Sequence, residues 1–288
     1  MYNWYVLVGL SAVMIALANI IRKHVLKHEH AMEELAAEAP FKLLILVFLI
    51  PAVGVPPLWV LVLIFIGSLA MVTLFIFRNK VYRHLPISTV APLHNLSPVL
   101  LLLFAMIILH ERPEPVQILG ILLIILGGYA LELRTDDPLR PLRHIRENKF
   151  RGVMFMLLLL MATLAIFDKI MLSVVKVEVL TYLFWIYFFI TSHSLIINWY
   201  KYRFSGFMND IMRGWYWLFM IAMSSFMSFF FFYQALRIPA VLVSLAIPIR
   251  RMTTLLEVVQ GGNLFHEEGV WRKAAGCAIM LLGAVLIL

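Results

Sequence analysis

Two adjacent arginines, Arg250 and Arg251, stand inside an apolar run, and Glu257 follows Arg250 by one heptad, on nearly the same helical face. Ionised groups in such surroundings are costly unless paired or hydrated, so they are the first candidates for chemistry. A guanidinium presents a fixed fork of donors that matches a carboxylate or a phosphate. The same arginines could instead pair with Glu257 in an ionic network between helices, and both readings stand at this stage. Asp168 and Lys169 are the second charged candidates. As neighbours on a helix they point about 100° apart, so one could gate or take up a proton while the other anchors the helix end. Glu257, Asp168 and Lys169 are accordingly the coupling or gating candidates.

Neutral polar residues complete the set. Tyr187, Thr191, Ser194 and Asn198 are spaced by four, three and four residues, a stripe suited either to hydrogen bonds with neighbouring helices or to lining a path. His193 adjoins that stripe, and Ser228, Tyr233 and Gln234 lie on a later run. His94 and Asn95 occupy the positions that Arg250 and Arg251 occupy in a duplicated segment. No grouping supports hydrolysis, metal catalysis or nucleotide use, because "HER" at 110 and "HEE" at 266 lack paired histidines one helical turn apart. The single Cys277 excludes a disulfide within the chain and a cysteine-based metal site. No cofactor is expected, and a membrane enzyme or a purely structural or receptor role ranks lower.

The elements that must position these residues are apolar helices. Of the 288 residues, 63% are hydrophobic and 14% charged, with a mean hydropathy of +0.94. That is an integral membrane protein, expected in the cell membrane with lipid as its surroundings. Apolar runs fall at about 2–25, 33–53, 58–80, 87–109 and 110–133, and again at 152–174, 179–200, 215–236, 240–261 and 270–288. Residues 33–42, "EELAAEAPFK", are too polar for lipid and should line protein or water.

A duplication organises these runs. At one offset of 156 residues, Ser88 falls on Ser244, Pro92 on Pro248, His110 on His266, Glu111 on Glu267, Gly120 on Gly276 and Gly127 on Gly283. A fixed spacing of this kind signals a repeated structural unit. The expected architecture is all-α and polytopic, with ten transmembrane helices in two inverted five-helix repeats, residues 1–133 and 152–288, joined by a basic linker at 134–151. The paired glycines lie seven apart, a small-residue stripe for close helix packing. Acidic residues precede the apolar run in each copy, where helix N-termini favour them.

Seventeen of the 24 Lys and Arg flank the spans on the linker's face and four flank the other. The positive-inside rule puts the linker in the cytoplasm and both termini outside. The same basic surplus sets topology and gives no reason to expect nucleic acid as a partner.

With Pro92, Glu111, Gly120 and Gly127 answered by Pro248, Glu267, Gly276 and Gly283, the chain resembles the ten-helix branch of the drug/metabolite transporter superfamily, built from two EamA-type repeats. Lys23 and Lys169, each ending the first helix of a half, add to the likeness. The resemblance implies secondary transport of small metabolites by alternating access, as an exporter or exchanger, and cytoplasmic termini, against the charge count, which we follow. Together with the arginines it sets the expected substrate as a small polar metabolite, an organic anion or an amino-acid-like zwitterion. A phosphorylated or lipid-linked sugar is the alternative. The substrate-binding candidates are Arg250, Arg251, His94, Asn95, Ser194, Asn198 and Tyr187. Proton coupling, substrate exchange, and a monomeric or homodimeric state all stay open.

Overall fold

The computed structural model describes residues 4–25, 31–85, 87–133, 137–202, 207–256 and 270–288. Among these residues there are helices and no strand. In chain order they are α1 (Trp4–Val25), α2 (Ala31–Leu49), α3 (Leu58–His84), α4 (Ile87–His94), α5 (Ser97–Ile108) and α6 (Pro115–Glu132). Then come α7 (Arg140–Glu147), α8 (Arg151–Lys169), α9 (Val179–Tyr202), α10 (Phe207–Leu236), α11 (Val243–Arg250) and α12 (Val270–Ile287). A π-helical turn at Ile170–Val174 extends α8. Among the described residues, five helices, α1, α3, α8 with its π turn, α9 and α10, are long and apolar enough to cross a membrane, and shorter apolar helices lie at 41–52, 92–108, 115–131 and 275–287. Large apolar side chains such as Phe48, Ile66, Ile107, Leu126 and Val285 lie exposed on the exterior, which suits hydrocarbon and not water.

Two expected single spans are broken near their middles. Residues 87–109 form α4 and α5, with a tight turn at Asn95 and Leu96 closed by bonds from Asn95 N–H to Pro92 O and from Leu96 N–H to Leu93 O. Proline is the cause. Pro98 has no N–H to give the carbonyl of His94, and its ring would clash there, so the helix stops and restarts at Ser97. The span expected at 240–261 likewise runs as α11 to Arg250 and then turns at Arg251 and Met252, three residues beyond Pro248. The basic linker, expected as a connection, contains α7, whose Pro141 is buried and which packs against α4 and α8.

The closest helix pair is α6 with α12. A Cβ on Gly120 would lie 2.6 Å from the Gly283 carbonyl oxygen, and one on Gly127 would lie 2.7 Å from that of Gly276. Backbone touches backbone, and any side chain there would separate the helices. The pairs 120 with 283 and 127 with 276 show the helices running antiparallel. The 156-residue offset exchanges one pair for the other. Other packings exchange in the same way when helices are matched by order: α1 on α10 answers α8 on α3, and α2 on α10 answers α9 on α3.

A third contact crosses between the halves. Glu111 is buried and accepts hydrogen bonds from the N–H groups of Val243 at 2.7 Å and Ser244 at 3.0 Å, and from the Ser244 hydroxyl. It therefore caps α11, where the unpaired N–H groups and the positive end of the helix dipole collect. The N-terminus of Glu111's own downstream helix, α6, is capped by Glu114 in a capping box with Gln117.

Candidate functional site

The two helix breaks face a cavity of about 700 Å³ lined from α1, α3, α4, α5, α8, α10 and α11. Its direction follows from the helices. His84 at the end of α3 stacks on Phe150 just before α8, with ring centroids 4.4 Å apart, so α3 ends and α8 begins at the linker's face. Arg78, late in α3, therefore marks the cavity's linker end. Asp168, at the close of α8, marks its far end.

Arg250 lines the cavity beside Phe229 and Phe232. Its guanidinium lies over both rings, 4.7 and 4.3 Å from their centroids, and donates to Ser228 Oγ at 3.0 Å. These contacts fix the plane of the group, and none of them carries a negative charge. Cation–π attraction of this kind strengthens where water is excluded. Arg251 also lines the cavity and donates to Ser97 Oγ at 3.0 Å, joining the end of α11 to the start of α5. His94 and Asn95 line the same space from the α4 break, and Asn95 Nδ2 donates to the Gly128 carbonyl at 2.9 Å.

At the far end, Asp168 accepts two phenolic hydrogen bonds, from Tyr182 at 2.6 Å and Tyr233 at 3.0 Å. Lys169 turns away. Its ammonium donates to the carbonyl oxygens of Leu236 and Ile238, both at 3.0 Å, fastening α8 to the turn that follows α10. The π turn that starts one residue later belongs to the same bend, a departure from regular helix often found beside functional groups.

The structure thus brings Arg250, Arg251, His94, Asn95 and Asp168 of the sequence candidates to one cavity and leaves others outside its lining. Tyr187 packs against Phe226 and Phe229, with the Lys42 ammonium 5.7 Å from its ring centroid. Ser194 donates to the Thr191 carbonyl within its own helix at 2.9 Å. Tyr187 thus sits between α10 and Lys42 of α2, and Lys42 forms an ion pair with Glu38 at 2.7 Å. Within the polar residues 33–42, Glu38 is turned into protein. The side chain of Asn198 and all of Glu257 lie outside the described residues, so the expected Arg250–Glu257 network does too. Sequence reasoning missed Ser97 and Tyr182. A serine beside a proline and a tyrosine at a helix start carry no signal for a partner 154 or 14 residues away.

Among the described residues no cluster of His, Cys, Asp and Glu could hold a metal ion. What the cavity offers is recognition: fixed cations at its middle and a carboxylate at its far end.

Residues 2–131 match the model of the EamA-like transporter family. Over those residues, just under half of the chain, the sequence is similar to that family. No curated protein matches the sequence. A solved structure described as "Crystal structure of protein" is similar with a TM-score of 0.71 at 13% identity, over 99% of this chain and 98% of the other. At that identity the likeness is one of fold, and it extends across both halves. The family matched is one of transporters, and the cavity is the feature of the fold that bears on such a role.

Proposed function

We propose that the protein is a secondary transporter that binds a small organic anion or an amino-acid-like zwitterion in this cavity and moves it by alternating access. The observation that carries the reading is Arg250: a guanidinium lining the cavity, oriented by Ser228, Phe229 and Phe232. An anionic group seated there meets donors already in place, so little conformational entropy is lost on binding. Arg251 lies beside it. A zwitterion's ammonium would find Asp168 at the far end of the same space.

The proposed frame is ten spans in two inverted five-helix repeats, 1–133 and 152–288, with the linker on the cytoplasmic side. Supporting it are the exchanged packings, the reciprocal glycine contacts of α6 and α12, and helix breaks at corresponding positions, a recurring design of transporter binding sites.

Purified protein in liposomes tests the reading through exchange of labelled succinate and of labelled L-phenylalanine. Arg250→Lys keeps the charge and loses the fork. It should cut exchange of a carboxylate substrate by about tenfold or more, since a charge-assisted hydrogen bond contributes about 1.5–3 kcal/mol. Exchange at the original rate in folded Arg250→Lys and Arg250→Ala proteins would exclude this role.

A further inference from the structure

We infer that Asp168 is a proton-operated latch: as a carboxylate it ties α9 to α8 and α10 at the far end of the cavity, and on taking up a proton it lets α9 part from them. The tie is geometric. One carboxylate receives Tyr182 from α9 and Tyr233 from α10, one on each oxygen. The two rings are 5.3 Å apart and fully buried, so they close the space behind Asp168. Asp168 itself lines the cavity, which gives water and protons a route to it.

Protonation changes what this carboxyl can do. Ionised, it is an acceptor at both oxygens; protonated, one oxygen becomes a donor, and a phenol that pointed its own hydrogen there must turn or leave. The remaining bond falls from a charge-assisted one to a neutral one, about half as strong. The proton comes from water in the cavity and returns to water, and no other bond is made or broken. The latch is therefore tight at high pH and loose at low pH.

The groups that act on this carboxyl come from every side. Tyr182 and Tyr233 bond it directly, and Arg250 faces it from α11. Arg78, His94 and Arg251 share its cavity from α3, α4 and the α11 break, while α5 brings only neutral Ser97. Lys169, the next residue, is held by two carbonyls, with Glu111 the acidic group acting on it. It therefore serves as a fixed tether of the same three-helix junction and leaves Asp168 as its movable part.

This inference concerns motion and not cargo, so its test needs no substrate and can fail independently of the transport reading. The full chain, in lipid nanodiscs and a Cys277→Ser background, is spin-labelled at Glu178→Cys and Ala240→Cys, exposed positions just before α9 and beyond α10. The expected result is one inter-label distance at about pH 8 and a second, longer one that grows severalfold toward about pH 5. Asp168→Asn, neutral and of equal size, should show the longer distance at both pH values. Tyr182→Phe and Tyr233→Phe, each lacking one bond, should populate it at pH values where the original protein does not. A distance that ignores pH in the original protein overturns the latch, and so does a pH response that survives Asp168→Asn. If Asp168→Asn does not fold, the tyrosine variants decide, and an unaltered pH response in both overturns it.

Discussion

The α4–α5 break and the α11 break stand at corresponding positions, His94 with Arg250 and Asn95 with Arg251, yet they are finished differently. In the first, Asn95 donates to Gly128, so the break is sealed within its own half. In the second, Arg250 reaches Ser228 and two phenyl rings, while Arg251 crosses to Ser97 of the other half. One backbone device thus serves two ends: a neutral break stiffens, and a charged break equips the cavity. The lesson is that shared geometry does not mean shared chemistry. The central charge of the site comes from one half alone.

The strongest way to break this comparison is to make the second break resemble the first. Arg250→His should reduce exchange of a carboxylate substrate nearly as far as Arg250→Ala, by about tenfold to a hundredfold, from the loss of charged hydrogen bonds. Liposome exchange reads this directly. The reverse change, His94→Arg, should not rescue it, because Thr73 and Ile76 stand where the 156-residue offset would place counterparts of Phe229 and Phe232.

A second change acts on the helix that carries the charged break. Glu111→Ala removes three hydrogen bonds from the buried start of α11 and should cost about 1–3 kcal/mol, as loss of a cap and stranding of buried donors do. Thermal unfolding in detergent would register it, and Glu111→Gln should recover part of the loss. Asn95→Ala, at the neutral break, should cost about 0.5–1.5 kcal/mol for one bond and leave exchange within about twofold. Smallest of all is Arg143→Ala in α7, whose exposed pair with Asp137 at 3.3 Å should be worth no more than about 0.5 kcal/mol.

Much of this arrangement was legible in the residues. Glycines at 120, 127, 276 and 283 declare a close helix pair because only glycine lets two backbones touch. Arginine and aspartate amid apolar sequence declare the cavity because burying charge is too costly to be incidental. What could not be read was reach. Glu111 precedes α6 and suggests a local cap, but Glu114 with Gln117 takes that role and Glu111 serves a helix 132 residues away. Prolines at 92, 98 and 248 disfavour regular helix, whereas the stopping points depend on which carbonyl each ring meets. The helix α7 was hidden in the linker because its amphipathic signal rests on very few apolar residues. The polar stripe of α9 suited either a path or packing, and its Tyr187 and Ser194 lie outside the cavity's lining, since spacing defines a face and not its neighbour.

The α6–α12 seam carries a consequence for how such a sequence drifts. Because Gly120 meets Gly283 and Gly127 meets Gly276, the tolerance of each position is set by its partner across the seam and not by its own duplicate. Enlargement at 120 would drive against the carbonyl oxygen of Gly283 and part the seam there, releasing 283 as well, while Gly276, its copy, would register nothing. Among aligned relatives, substitutions should therefore covary as 120 with 283 and 127 with 276, leaving the duplicates free to diverge from one another while the touching pairs change together.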